Sequence, residues 1–183
     1  DALQARIDEL TVQAGGPQAL ADWQAKNFYT DETFRADIRL SAAAAFQRDA
    51  IANSVPSTAE QVHARQILVS NLAAAEEIVA KVKSGSNFAS LASQYDPATG
   101  GDLGWFPRGY LLQPLVEEAA FGLQAGEISA PIQTSYGYHV IQVIEHDPSR
   151  ALTSDMLREK QRNAVTDWLV AQRSQSTIEI LIP

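Results

Sequence analysis

Three blocks of sequence between Val62 and Asp147 decide the fold: HARQILV at residues 63–69, GGDLGWFPRG at 100–109 and TSYGYHVIQV at 134–143. The first and last blocks have the β-branched and apolar residues that are typical of strands, whereas the glycines of the middle block are typical of a loop. The spacing of apolar residues predicts strands at 62–69, near 128–132 and at 138–145, helices at 72–84, 88–95 and 114–121, and a loop at 96–110.

Both flanks of this β-containing unit are predicted to be helical. Gly15-Gly16-Pro17 separates a first helix, ending near residue 14, from a second, and Thr30 is a good N-cap for a third helix that runs to about residue 53. A further helix is predicted from about 154 to 173, and residues 177–182 alternate weakly, as in a short strand. The apolar positions of the long helices are Phe34, Ile38, Ala42, Ala45, Phe46, Leu157, Ala164, Val165, Trp168 and Leu169. These stripes need a partner, and we therefore expect both chain ends to form one helical domain.

Composition excludes several classes of function. The formal net charge is −8 and the 14 Lys and Arg residues are scattered, which argues against nucleic acid and anionic membrane surfaces as partners. The absence of cysteine excludes thiol catalysis and disulfides, and the three histidines lack the spacing of a metal site. The glycines at 100–104 lack the GxGxxG spacing of a dinucleotide loop. We therefore expect a soluble globular protein without metal or cofactor.

Two polar side chains stand out on the predicted strands. Because alternate residues of a strand share a face, His139 lies with Ile141 and Val143 on an apolar face, and Gln66 lies on such a face of the first strand. A buried polar group without a partner costs about 1 to 3 kcal/mol, so each needs a hydrogen bond, and the two could satisfy each other. A histidine held in the core is the simpler alternative for His139.

In their order and spacing the three blocks resemble the parvulin family of peptidyl-prolyl isomerases, and the helical flanks more loosely resemble the chaperone part of extracytoplasmic bacterial foldases of the SurA and PrsA type. The resemblance implies an α+β fold, in which a parvulin domain with a four-stranded antiparallel sheet and surrounding helices is inserted in an α-helical, chaperone-like domain. The implied boundaries are 1–58 for the N-terminal helical part, 59–147 for the parvulin-like domain, and 148–183 for the C-terminal helix and tail.

The resemblance also implies a polar active site. His139 matches the second histidine of the family, Thr134 matches the hydroxyl residue upstream of it, and Tyr138 is expected on the opposite face of the strand. Asp96 matches a position that holds Asp or Cys, although the loop before Gly100 is shorter here, and an aspartate in a turn before Pro97 remains the alternative. Where the family has its first histidine, this chain has Gln66, which hydrogen-bonds but does not titrate.

The proline-binding residues implied by the resemblance match the family pattern less closely than the polar residues do. Leu112 and Val116 stand where the family has methionine and phenylalanine, with one residue inserted before Leu112. Phe121 could fill a pocket widened by Val116, and Tyr136 stands where the family often has Phe. The alternative is that Leu112 and Val116 are core residues of a helix. We expect Trp105 and Phe106 to fasten their loop to the core.

Two functions remain open from the sequence. One is an isomerase and foldase that rotates X-Pro bonds and binds unfolded or proline-containing polypeptides. The other is a parvulin-like chaperone, weakly active or inactive, that only binds such chains, as Gln66, Val116 and the short loop would favour. For either function, the resemblance implies an extracytoplasmic location, with a signal or anchor upstream of Asp1. We expect no nucleic-acid partner, no metal and no small-molecule cofactor. Whether the chain forms a homodimer stays open.

Overall fold

The residues that the structure describes, 2–177, form seven helices and four strands in a computed structural model of the chain. Contacts group residues 2–55 with 160–177 in one compact unit and residues 56–159 in another. In chain order the elements are α1 (Ala2–Ala14), α2 (Pro17–Lys26), α3 (Asp31–Asn53), β1 (Thr58–Val69), α4 (Leu72–Lys83), α5 (Phe88–Tyr95), β2 (Asp102–Pro107), α6 (Pro114–Gly122), β3 (Ile132–Thr134), β4 (Gly137–Ala151) and α7 (Ser154–Ser174).

Local signals explain the first helical unit. Pro17 opens α2, where its missing N–H costs nothing. Thr30 caps α3 as predicted: its side chain accepts from Thr33 N at 3.1 Å, and the Thr33 hydroxyl accepts from Thr30 N at 2.9 Å. Trp23, Tyr29 and Phe34 pack ring against ring where α2 meets α3. The predicted helices of the flanks are therefore confirmed.

The expected interior of this unit is only partly right. Phe34 is buried, but Phe46 is 74% exposed, and Trp23 and Phe28 of the same unit are 48% and 96% exposed. The apolar spacing on α3 indicates an amphipathic face, but spacing alone does not show how much of that face another helix covers. Phe28 also adopts a φ of +62°, a conformation unusual for a residue with a side chain.

The second unit is built on one antiparallel sheet of four strands, in the order β2-β1-β4-β3, which confirms the predicted fold class. One face carries Val62, Ala64, Phe106, Ile141 and Val143 and packs against Val116, Ala120 and Phe121 of α6. The other face carries Ile67, Val69 and Val140 and packs against α4 and α5. Tyr138 packs on this second face, opposite His139, as predicted.

Several strand boundaries differ from the prediction. The predicted loop 96–110 contains β2, since its glycines allow close pairing along β1. The short strand lies at Ile132–Thr134 rather than near 128–132, where only Ile128 bridges to Gln142. β1 and β4 continue to Thr58 and Ala151, because a register shift between Ala59 and Gln61 accommodates the turn-forming residues around Pro148 within the ladder.

Two further observations concern the extent of the described residues. Within residues 2–177, no helix combines the length and the apolar character that crossing a membrane requires. The strand predicted at 177–182 lies, from residue 178 onward, outside the described residues.

Candidate active site

His139 and Gln66 meet on the α6 side of the sheet. His139 is 4% exposed, and its Nδ1 lies 2.8 Å from Oε1 of Gln66. β1 and β4 are adjacent and antiparallel, with Gln66 opposite Ile141, so the two side chains project from one face, one diagonal step apart. The hydrogen bond expected from the alternation of the two strands is therefore present.

Thr134 extends this pair into a chain of three. Its Oγ1 lies 2.9 Å from His139 Nε2 and also accepts from Tyr136 N at 3.1 Å. The β3–β4 hairpin places it there, because Thr134 pairs with Gly137 across a turn of two residues. Gly137 has a φ of +134°, and a Cβ at this position would lie 2.4 Å from the carbonyl oxygen of Val69, so the hairpin requires glycine.

The contacts define how the imidazole is protonated. A carbonyl oxygen only accepts, so Nδ1 carries the hydrogen and donates to Gln66 Oε1, while Nε2 accepts from the Thr134 hydroxyl. Burial lowers the pKa of His139, because the charged imidazolium loses solvation there. The ring is therefore neutral and its tautomer is set from both sides.

We expect this neutral ring to shape the pH dependence. Activity that needs it should stay constant through pH 6.5, where an unperturbed histidine titrates, and fall only at lower pH. Since the folded state binds this proton less readily than the unfolded state, His139's contribution to stability should be present above about pH 6.5 and be lost as the pH falls below it. A kcat/KM profile measures the first effect and chemical denaturation at several pH values the second.

Two variants assign this titration. His139→Gln should abolish the inflection, whereas His146→Ala, a change at another histidine of the same strand, should leave it in place. An inflection at or above pH 6.5 that disappears with His139 would contradict a buried, neutral ring.

Asp96 lies beside this chain of side chains but is not hydrogen-bonded to it. It follows α5 directly and accepts from Ala98 N at 3.1 Å, from Thr99 N at 3.2 Å and from the Thr99 hydroxyl. The hydrogen bond from the Thr99 side chain, and then that from the Thr99 backbone, lower the pKa of Asp96 and keep it ionised. Asp96 thus holds a turn, and it also lines a cleft of about 290 Å³ together with Gln66.

Gly101 anchors the strand that carries Gln66. Its carbonyl accepts from Gln66 N at 2.8 Å, and its φ is +70°. A Cβ built on Gly101 would lie 2.0 Å from the carbonyl oxygen of Gln66. The glycine-rich block therefore has a structural task, because it lets the backbone of the loop touch the backbone of the site.

The four residues predicted to bind proline are not equivalent. Val116 and Phe121 are 2% and 7% exposed and pack within the core, which for Val116 is the alternative that the sequence left open. Leu112 is 93% exposed and Tyr136 is 69% exposed. Leu111, one residue before the predicted position, is the leucine that packs against the core cluster of Val116. With the one-residue insertion before α6, Leu112 lies at the surface and Leu111 lies against the core.

Glu117, which the sequence did not single out, orders the segment before α6. Its carboxylate accepts from Gly109 N at 2.6 Å and from the N–H groups of Tyr110 and Leu111 at 2.9 Å each. Three donors converge on one side chain that is six to eight residues further along the chain. A glutamate in the first turn of a predicted helix, after a glycine-containing loop, is the signal that could have found it.

We expect Glu117→Ala to destabilise the protein by about 1 to 3 kcal/mol, because the substitution leaves three backbone N–H groups without an acceptor. We also expect it to raise KM, because Leu111 loses the hydrogen bond that holds its backbone in place. Thermal unfolding and steady-state kinetics measure the two effects. Glu118→Ala is the matched control on the exposed side of the same helix and should change neither quantity appreciably. Equal behaviour of the two variants would contradict this role.

A second contact missed from sequence joins His63 and Asp102 at 2.9 Å, with His63 stacked on Trp105 and Arg150 lying over the same ring. Through these contacts Trp105 fastens β2 to its neighbours, and Phe106 is fully buried. Both aromatic residues thus hold this segment in place, as predicted. Among residues 2–177, no three side chains of His, Cys, Asp or Glu converge as metal ligands would.

Comparison with known proteins gives consistent matches. The sequence model of one family, the PPIC-type PPIASE domain, matches residues 50–147. The foldase protein PrsA of Geobacillus sp. (strain WCH70) is 33% identical over 179 residues, which are 95% of this chain and 62% of that protein. The chaperone SurA of Methylobacillus flagellatus is 34% identical over 148 residues, 69% of this chain and 33% of that protein.

A solved structure agrees over nearly the whole chain. The crystal structure of the peptidylprolyl isomerase PrsA from Bacillus cereus superposes with a TM-score of 0.64 at 25% identity, covering 98% of this chain and 75% of the other. The chain thus spans 62% of the PrsA relative and a third of the SurA relative.

Proposed function

The chain belongs to the PPIC-type peptidyl-prolyl isomerase family, and from this premise we propose that it rotates X-Pro bonds in unfolded polypeptide chains. The observation that carries the proposal is the hydrogen-bonded chain Gln66–His139–Thr134 on an otherwise apolar sheet face. Asp96 lies at the edge of the adjoining cleft. These four are the proposed catalytic residues.

The chemistry of this reaction suits such a site. Rotation faces a barrier of about 18 to 20 kcal/mol, because amide resonance holds the bond planar. Lowering that barrier requires no nucleophile; it requires surroundings that stabilise the twisted amide better than the planar one. A buried, preorganised polar group beside an apolar wall can do so without reorganising during the reaction.

Each polar residue then has a definite task. His139 is held by its partners on both ring nitrogens and presents a fixed dipole. Gln66 uses Oε1 for the histidine, and its Nε2 group is the donor we assign to a carbonyl oxygen next to the rotating bond. Thr134 sets the tautomer, and the ionised Asp96 contributes negative potential at the cleft. Glutamine in place of a histidine keeps this hydrogen bonding at every pH.

For the proline ring we propose the apolar wall between β2 and α6. Leu111 packs there against the cluster that contains Val116 and Phe121, and the exposed side chains of Leu112 and Tyr136 offer apolar contacts at the surface. Val116 and Phe121 would then form the floor of the wall rather than grip the ring directly.

We further propose the domain division 1–58, 59–147 and 148–183, with a client-binding role for the helical part. Its support is the grouping of residues 2–55 with 160–177, and the family match over 50–147. The helical unit has an apolar groove of about 340 Å³ lined by Ile51, Val165 and Trp168. Its clients would be unfolded, proline-containing polypeptides, and its location would be extracytoplasmic.

A binding module without catalysis is the second candidate, and two observations favour it. Gln66 replaces a titratable residue, and Val116 is buried at 2% exposure instead of lining an open pocket. Such a module would hold extended chains on the same surface but would leave the rate of X-Pro rotation unchanged.

One experiment with two readouts separates the candidates. The refolding of a protein limited by X-Pro isomerisation is followed with and without this chain, and aggregation of an unfolded client is followed in parallel. An isomerase accelerates the slow refolding phase at catalytic concentrations. Suppressed aggregation with an unchanged refolding rate would overturn the isomerase and support the binding module.

A further inference from the structure

The edge of β1 next to Gln66 is left without a neighbouring strand. β2 pairs with β1 only from Gln61 to Arg65, and the pairing ends at Arg65↔Asp102 with a register shift at this point. β1 itself continues to Val69. Within residues 2–177, therefore, no strand pairs with the end of β1 after Arg65 on this side. The cleft of about 290 Å³ lies there.

The direction of the free backbone groups follows from strand alternation. Gln66 N donates to Gly101 O, so the N–H and C=O of Gln66 point toward the β2 side. Two residues on, those of Leu68 point the same way, past the end of β2 and into the cleft. The Leu68 side chain is 41% exposed, and Tyr95 on the opposite wall is 48% exposed. Such an edge offers a pairing site for an extended chain.

The charged groups of this cleft are acidic. Asp96 and Asp102 both line it, and no lysine or arginine does. Burial pushes the pKa of Asp102 up, but the Gly104 N–H and His63 outweigh it, so the pKa lies below its usual range. The Asp102 side chain remains 43% exposed despite its bond to His63. Arg65, its partner across the strands, offsets part of this charge, so its attraction for a cation is moderate.

We propose that the cleft along Leu68 binds an extended polypeptide by strand addition and that Asp102 selects chains with a lysine or arginine close to the proline. The proposal rests on the proposed function, since the cleft adjoins Gln66. It names the substrate class that this site prefers: unfolded segments that are basic around the proline, with acidic ones disfavoured.

The test is direct binding of labelled peptides by fluorescence anisotropy. Each peptide is extended, has a single proline, and has lysine, alanine or glutamate at the positions next to it. The lysine peptides should bind about fivefold more tightly than the glutamate peptides at low ionic strength, as expected for an exposed charge pair, and about 0.5 M salt should remove most of this difference. Equal affinities at low ionic strength would overturn the proposal.

Two variants locate the preference. Asp102→Asn should remove most of it, because Asp96 is then the only acidic residue among the described residues that line the cleft, whereas Glu76→Gln, which removes one charge from the exposed side of α4, should preserve it. A preference that is undiminished in Asp102→Asn would overturn the assignment. Strand addition is tested with N-methyl groups at alternate peptide bonds, since one set of positions should lose about fivefold in affinity and the other should not. Equal behaviour of the two sets would exclude this binding mode.

The isomerisation rate of the alanine peptide, measured in the same samples, separates this proposal from the proposed function. Acceleration without any charge preference overturns the specificity alone. Tighter binding of lysine peptides without acceleration supports the specificity and overturns the isomerase.

Discussion

Replacing His139 by alanine is expected to lower kcat/KM for X-Pro isomerisation by on the order of 10²-fold, the scale of losing one preorganised polar group from an active site. The imidazole is the middle of the chain Gln66–His139–Thr134, so its loss leaves both neighbours without their shared partner. Peptide isomerisation at low substrate concentration measures kcat/KM directly.

The variant also tests whether the loss is chemical or structural. Leaving polar groups unpaired inside the protein costs about 1 to 3 kcal/mol of stability, so folding is checked by circular dichroism and thermal unfolding. His146→Ala is the matched control, because His146 lies on the same strand but is hydrogen-bonded to Glu60 and not to the chain Gln66–His139–Thr134. If both variants lost activity equally, or His139→Ala lost none, His139 would not act in catalysis.

Gly101→Ala is expected to cost about 3 kcal/mol of unfolding free energy or more, a loss seldom exceeded by single substitutions. Two effects add: alanine at φ +70° is strained, and the new Cβ would lie 2.0 Å from Gln66 O. The neighbour here is backbone, so relief requires moving the strand that carries Gln66. Activity should fall along with stability.

Gly104→Ala separates the two effects. Gly104 has a φ of +66°, but a Cβ there meets nothing within 4 Å. This variant should therefore lose only the backbone term, about 1 to 2 kcal/mol, and retain its activity. Denaturant titrations of the two variants under the same conditions give the difference. Equal losses would show that the clash at Gln66 is absent.

The polar site follows from sequence because a strand has a strict period. Since side chains alternate, the sequence alone places His139 and Gln66 on apolar faces, where each needs a partner. The fold class is implied by the resemblance of the three sequence blocks to the parvulin family, and the four antiparallel strands confirm it.

Features that depend on backbone detail could not be predicted in this way. The pattern does not reveal β2, because Gly101 and Gly104 give this stretch the composition of a loop. The close approach to β1 requires Gly101, whereas Gly104 is needed for its positive φ alone. The burial of Leu111 and the exposure of Leu112 could not be predicted either, since the residues of a turn have no periodic signal that shows which of two neighbours faces the core. The contacts of Glu117 to three backbone N–H groups depend on loop shape, which composition does not encode.

In the helical unit the limit has another cause. Hydrophobic spacing shows which face of a helix is apolar but not whether anything covers it, and Phe28 and Phe46 remain exposed at 96% and 74%. The sheet differs, because helices pack against both of its faces and most of its apolar side chains are buried or half-buried.

The measurement that tests the central claim most directly is the cis–trans exchange rate of an Ala-Pro peptide by NMR exchange spectroscopy, with catalytic amounts of the protein. Unaided exchange takes tens to hundreds of seconds. The Gln66–His139–Thr134 site predicts exchange that becomes faster in proportion to protein concentration and returns close to the unaided rate with His139→Ala. Exchange that stays at the unaided rate with the unmodified, folded protein would contradict it.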